Sequence, residues 1–199
     1  MHSSYRSTFR TLGDTPLATV TRKGVIPIKK VFNHRRKDRK VTITPCFDER
    51  VAIVYYYPNM QPDMIDSLIE KGYKGIVIAG TGLGHVNKPL YPAVERAKAA
   101  GVAVYMTVQT LWGYAHMFVY DTGRDLMAKG VIPAENMLPE AAYIKLGWAL
   151  GQTDDLEKVK KIMLTPISDD ITPREPYNGY LVYQGGVPEV EDFIRKVHK

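Results

Sequence analysis

The sequence predicts an α/β fold, a flavodoxin-like three-layer sandwich built on a parallel sheet. Three observations carry that expectation. Three short runs, Val51–Tyr56, Gly75–Ala79 and Val102–Met106, are nearly continuously apolar and rich in β-branched residues, as strands buried on both faces are. Segments with apolar residues at helical spacing alternate with them. Glycines at 72 and 101 stand where those helices would stop.

The elements follow in order. Residues 1–50 read as irregular, because Pro16, Gly24, Pro27 and Pro45 interrupt every periodic run. Gly24–Ile28 and Lys40–Thr44 are candidates for short edge strands. After the strand at 51–56, the segment from Pro58 to Pro62 breaks the chain. Met64, Ile65, Leu68 and Ile69 then give a helix stopped at Gly72. The strand at 75–79 leads into a glycine-rich turn, a helix over 90–100, and the third strand. Asp121–Asp125 opens a short helix that stops at Gly130. Residues 138–150 carry an apolar helix ended by Gly151, with Pro133 and Pro139 marking the turn before it. Thr153 precedes a last clear helix through Val159, Ile162 and Met163. Tyr180–Tyr183 reads as a final strand and 189–196 as a helical turn or two. Right-handed connections are expected throughout. The domain organisation expected is 1–49 as the end of a preceding domain plus a linker, and 50–199 as one folded domain.

Composition is that of an ordinary folded chain, with 199 residues, 45% hydrophobic and 24% charged. No apolar run reaches the roughly 18 residues of a membrane helix, and Met1–Arg10 has no signal-peptide core, so a cytoplasmic protein is expected. Cys46 is the single cysteine, which rules out an internal disulfide. The net charge of +6 is unevenly placed. Residues 1–40 hold 11 Lys/Arg against Asp14 and Asp38, a balance of +9, while 41–199 hold the other 16 against 19 acids, −3. The densest basic stretch, His34–Lys40, reads as a solvated linker, with attraction to a phosphate backbone as the alternative.

Gly80-Thr81-Gly82-Leu83-Gly84-His85, between a strand and a helix, reads either as a tight strand–helix turn or as a ligand-facing loop, the best functional candidate in the chain. Glycines there let backbone approach a ligand and can aim amides at an anion. The spacing is not that of a dinucleotide fingerprint, and no acid follows at the end of the next strand, so a nucleotide cofactor is not expected. His85 suits contact with a carboxylate, acid/base work or a structural role. Thr107-Val108-Gln109-Thr110 offers hydroxyls and an amide to a pocket. Asp121-Thr122 suits a helix cap. The histidines form no metal spacing with Cys46 or paired acids, so no metal site is expected. No catalytic residue set emerges from the spacing of hydroxyls, bases and acids.

Four segments together carry a resemblance: Gly75–Val86, Val119–Pro133, Asn136–Asp155 and Tyr180–Phe193. They resemble the amidase (D) subunits of archaeal glutamyl-tRNA(Gln) amidotransferases, within the L-asparaginase superfamily. The resemblance covers nearly the whole chain. It implies that Met1–Arg10 ends a first asparaginase domain, that the basic arm is an interdomain linker, and that residues from about 50 form the second domain. It implies that the threonine nucleophiles lie in the first domain; neither a T-G-G-T nor a T-D-T motif occurs here. This chain alone is therefore expected to be inactive, and Thr81 is not expected to be a nucleophile. The implied site contribution is a substrate-pocket or dimer-contributed loop with Gly82, Gly84 and His85, and Tyr120 or Asp121 near where simple asparaginases place a glutamate. Simple asparaginases carry an asparagine near the position of His85. The implied partners are the N-terminal asparaginase domain, the tRNA-activating (E) subunit of the amidotransferase, a second copy forming a homodimer, and tRNA(Gln) indirectly. ATP and Mg are implied on the (E) subunit and no cofactor in this chain. Two other readings stay open: a non-catalytic module that binds a small carboxylate or RNA, and half of a plain L-asparaginase.

Overall fold

The computed structural model describes residues 12, 16–28, 38, 40–172 and 196–197. The chain divides into two compact units, residues 43–173 and residues 1–42 with 174–199. In the latter, β1 (Ala18–Thr21) and β2 (Gly24–Pro27) pair antiparallel, from Ala18 opposite Pro27 to Thr21 opposite Gly24. Thr21 Oγ1 closes the turn, accepting from Lys23 N and donating to Gly24 O, both at 3.2 Å. Of the expected edge strands, the one at 24–28 forms, over Gly24–Pro27, with β1 as a partner that was not expected from the sequence. The one at 40–44 does not form. Thr44 O instead accepts from Trp148 Nε1 at 2.9 Å and Cys46 O from Gln152 Nε2 at 2.7 Å, so helix side chains satisfy this segment in place of a strand ladder. Tyr180–Tyr183 and residues 189–195 lie outside the described residues, as does most of the basic stretch at 34–40.

The larger unit is a parallel sheet in the order β3 (Val51–Tyr55), β4 (Gly75–Gly80), β5 (Ala103–Val108), β6 (Ile132–Pro133). The connections contain α1 (Asp63–Glu70), α2 (Tyr91–Ala99) and α3 (Asp121–Ala128). Right-handed crossovers that always step the same way deposit their helices on one face. Accordingly, residues of α1, α2 and α3 (Ile65, Val94, Leu126) share a core with Val54, Ile76, Ile78, Val104 and Met106. The alternate residues Val77, Ala103 and Tyr105 point the other way. There α4 (Pro139–Gln152) and α5 (Leu156–Met163) cover them with Leu146, Ala149, Leu150, Val159 and Met163. Every residue of β4 and β5 is buried, which is why those two runs read as unbroken apolar strands.

Three boundaries differ from expectation for local reasons. β6 is a two-residue edge strand containing Pro133; proline is tolerated at an edge, where its missing N–H costs no ladder bond, but in sequence it reads as a break. α4 runs past Gly151, because a Cβ there would lie 2.5 Å from the Cys46 carbonyl; the glycine makes room for the chain at 46–47 and does not end the helix. α5 is capped by Asp155, whose Oδ1 accepts from Glu157 N at 3.0 Å and Lys158 N at 3.3 Å.

Tyr105 is fully buried under α4 and α5, and its hydroxyl has no hydrogen-bond partner among the described residues. Burial, with the Glu157 carboxylate, pushes this phenol well above its ordinary range. Tyr105→Phe is expected to raise the unfolding free energy by about 1 kcal/mol, since it removes a desolvated hydroxyl without emptying the site. Urea unfolding of both proteins checks this.

Among the described residues no helix is long and apolar enough to cross a membrane, and no group of three or more His, Cys, Asp or Glu side chains could hold a metal ion.

Candidate functional site

The loops at the carboxyl ends of β4, β5 and β6 bring the candidate residues together. The first runs from Thr81 to His85. It folds on itself: Thr81 N donates to His85 O at 3.0 Å, Gly84 N to Thr81 O at 2.9 Å and His85 N to Thr81 O at 3.3 Å. Leu83 and Gly84 both take positive φ, 61° and 82°. The amides of Thr81, Gly84 and His85 are thus used within the loop, which argues against an amide cradle for an anion. The Thr81 hydroxyl donates to His85 O at 3.2 Å. A hydroxyl whose proton is committed to a backbone carbonyl is not paired with a base that could activate it.

The glycines of this loop differ in kind. A Cβ on Gly84 would lie 2.8 Å from Met106 Cγ and 3.2 Å from Met117 Cγ, in a left-handed backbone position. A Cβ on Gly82 would meet nothing within 4 Å. Gly84→Ala is therefore expected to cost about 2 kcal/mol or more, and Gly82→Ala less than about 0.5 kcal/mol; chemical denaturation of the two variants separates them.

His85 Nδ1 lies 2.9 Å from Gly82 O. A carbonyl only accepts, so Nδ1 carries the proton. The ring meets Tyr120 edge-on, with centroids 5.5 Å apart and planes at 65°. Tyr120 is the exposed residue before α3. Asp121 is the first residue of that helix, and its Oδ1 accepts from Thr122 N at 2.7 Å. The cap position thus belongs to Tyr120, and the Asp121 carboxylate serves the helix end from one residue further on. Gly82, His85 and Tyr120 form one contiguous patch, Gly84 is buried beneath it, and Asp121 adjoins it.

The side chains of Gln109 and Thr107 are both committed to backbone carbonyls. Gln109 Nε2 donates to Ala79 O at 2.9 Å and to Tyr56 O at 2.5 Å, tying the ends of β3 and β4 together. Thr107 is buried within β5, donating to Ile78 O.

A ladder of rings was not anticipated. Trp112, Tyr114, His116, Phe118 and Tyr120 alternate with small or aliphatic residues. Ala115 and Met117 point into the core, fully buried, while Trp112, Phe118 and Tyr120 are exposed. Tyr114 and His116 have ring centroids 4.9 Å apart, and His116 and Phe118 are stacked at 6.1 Å. The Tyr114 hydroxyl is hydrogen-bonded to that of Thr172. Period-two alternation was the available signal. Beside the ladder lies Glu135, at positive φ of 52°. Burial raises its carboxyl above the ordinary range, and the charge of His116 partly offsets that.

Residues 50–163 match the family model described as the glutaminase/asparaginase C-terminal domain. The chain is 47% identical over 181 residues to the (D) subunit of the glutamyl-tRNA(Gln) amidotransferase of Thermococcus kodakarensis, covering 91% of this chain and 41% of that protein. It is 46% identical to the corresponding (D) subunit of Pyrococcus abyssi, over the same shares. The chain thus spans about two-fifths of the length of the curated relatives it matches. Among solved structures it is similar to the thermostable L-asparaginase of Thermococcus kodakarensis, with a TM-score of 0.77 and 31% identity over 87% of this chain and 52% of that one. It is also similar to L-asparaginase I of Vibrio cholerae, with a TM-score of 0.71 and 25% identity over 79% of this chain and 48% of that one.

Proposed function

The chain belongs to the glutaminase/asparaginase C-terminal domain family, and on that premise we propose that it serves as the C-terminal part of an amidase subunit supplying ammonia for the ATP-dependent conversion of Glu-tRNA(Gln) to Gln-tRNA(Gln). The observation that carries this reading is the 45–47% identity to amidotransferase (D) subunits over about nine-tenths of the chain. In this proposal an N-terminal asparaginase domain provides the threonine nucleophile. Amide hydrolysis there passes through an acyl-threonine and releases ammonia. The (E) subunit, using ATP and Mg2+, activates the glutamate on the tRNA and takes up that ammonia. All of this takes place in the cytoplasm.

The present chain contributes a wall. Gly82, His85, Tyr120 and Asp121 adjoin one another at the carboxyl edge of the sheet, and Gly84 fixes the loop from below. We propose that this edge reaches the amidase site of a second copy in a homodimer. The exposed rings of Trp112, Phe118 and Tyr120 supply contact area of the kind that anchors protein interfaces. Among the described residues the wall holds no nucleophile–base pair, which favours a supporting role over an independent catalytic one.

The test is reassembly. Co-expressed with its asparaginase domain and the (E) subunit, the chain is expected to restore hydrolysis of glutamine or asparagine, stimulated by Glu-tRNA(Gln). Hydrolysis indifferent to Glu-tRNA(Gln) would assign it to a plain asparaginase. No hydrolysis from a well-folded assembly would refute the amidase reading.

A further inference from the structure

Gln109 is the first residue beyond β5, and it joins the ends of three strands. Its backbone N–H donates to Gly80 O, at the end of β4, at 3.0 Å. Its side-chain Nε2 donates to Ala79 O at 2.9 Å and, further across the sheet, to Tyr56 O at 2.5 Å, one residue past the end of β3. Backbone carbonyls only accept, so the group between these two is the amide nitrogen, with both of its hydrogens used. Gln109 is nevertheless exposed, where a hydrogen bond adds little to global stability.

The glycine loop begins where these bonds end. Thr81–His85 is closed by its own hydrogen bonds, Thr81 N to His85 O and Gly84 N to Thr81 O, so the loop moves as one body. Gly84 sits close upon the Met106 and Met117 side chains. Apolar contact with two flexible methionines supports the loop from below but is non-directional. Direction comes from the base of the loop, where Ala79 O and Gly80 O are both held by Gln109.

We propose that Gln109 is a positioning residue: it sets the orientation of the glycine loop and, through it, the place of Gly82 and His85 in the wall. The part concerning the wall rests on the amidase reading; the part concerning the loop does not. A kinetic signature follows. Without the side-chain bonds, fewer molecules hold the loop in its competent orientation, and the apparent affinity for substrate falls by that fraction. The complex, once formed, is the same. KM therefore rises while kcat holds.

Two variants separate this from a general structural role. Gln109→Glu keeps the size of the side chain but turns a carboxylate toward two carbonyl oxygens with no hydrogen to give. Gln109→Lys supplies an ammonium with three hydrogens and is expected to rescue. The first measurement is amide exchange by NMR on the 199-residue chain. In Gln109→Glu the amides of Thr81, Gly84 and His85 are expected to exchange about tenfold faster, while Val77 and Ile78 in β4 keep the wild-type rate. Unchanged loop amides, or equal acceleration in β4, would overturn the proposal. The second measurement is amide hydrolysis in the assembly with the asparaginase domain and the (E) subunit. There Gln109→Glu is expected to raise KM for the amide donor about tenfold with kcat within about twofold, and Gln109→Lys to restore KM. An unchanged KM, or a loss confined to kcat, would overturn the role in the wall. Faster loop exchange beside a wild-type assembly that hydrolyses nothing would leave the positioning of the loop standing and sink the functional reading instead.

Discussion

Alanine at position 123 is expected to destabilise the larger unit by about 3 kcal/mol or more, although alanine is the better helix former. Gly123 is buried within α3. A Cβ there would lie 2.1 Å from the Met117 carbonyl oxygen, 2.8 Å from its carbon and 2.9 Å from its Cα. All three are backbone atoms, so no side-chain rotation relieves the clash. Helix propensity alone favours alanine over glycine by about 1 kcal/mol, and the sign of the measured change decides between the two effects. The contact also joins the two halves of the candidate site. The ring ladder passes through Met117, and Tyr120 immediately precedes α3, to which Arg124 Nη1 ties the ladder loop through Phe118 O at 2.9 Å. Urea unfolding followed by tryptophan fluorescence gives the stability. A gain in stability on Gly123→Ala would show that the approach of α3 to Met117 is wrong.

The second large effect is expected at Asp170. Lys145 is a charged residue inside α4, only 7% exposed. Its Nζ donates to Asp170 Oδ2 at 2.6 Å and to Thr165 O at 2.7 Å. Asp170 Oδ1 in turn accepts from Ile167 N at 2.8 Å and Ser168 N at 3.3 Å. Asp170→Ala leaves a buried ammonium with one neutral acceptor and is expected to cost about 3 kcal/mol, the lower end for a broken buried pair because Asp170 keeps some solvent access. Replacing both, as Lys145→Met with Asp170→Leu, is expected to recover most of that loss.

The pair also sets a pH dependence. Burial alone would raise the Asp170 carboxyl. The Lys145 ammonium and the two backbone N–H groups outweigh it and hold the carboxyl below its ordinary value. A folded-state pKa below the unfolded one means stability that is complete above the unfolded value of about 3.9 and is lost as pH falls through the folded value. The wild-type protein is therefore expected to lose stability below about pH 4 more steeply than Asp170→Asn. Parallel slopes in acid would remove the pair from the account.

What could be read from the sequence, and what could not, follows from range. The central strands were legible because burial on both faces leaves an unbroken apolar run, as in β4 and β5. Helix stops at Gly72 and Gly101 were legible because both glycines do take positive φ. Gly151 misled because its reason is a tertiary contact with Cys46, about a hundred residues away along the chain. Lys145 was hidden inside an apolar helix face, since its partner Asp170 lies in irregular chain. The approach of Tyr120 to His85 spans 35 positions in sequence. No spacing rule joins them, and only the family resemblance placed both in one site. Neither that resemblance nor the spacing suggested the ring ladder beside them, although its alternation stands in the sequence.

The claim that this domain supplies a wall of an amidase site is tested most directly at Gly82. Its Cβ direction is open, with nothing within 4 Å, and it does not take positive φ, so a large side chain there can project outward without disturbing the fold. In the reassembled amidase, Gly82→Phe is expected to leave the thermal midpoint of this chain within about 2 °C of wild type. Amide hydrolysis should fall by about a hundredfold or more, as misplacement at a reacting centre does. Unchanged hydrolysis by a stable Gly82→Phe assembly would contradict the account.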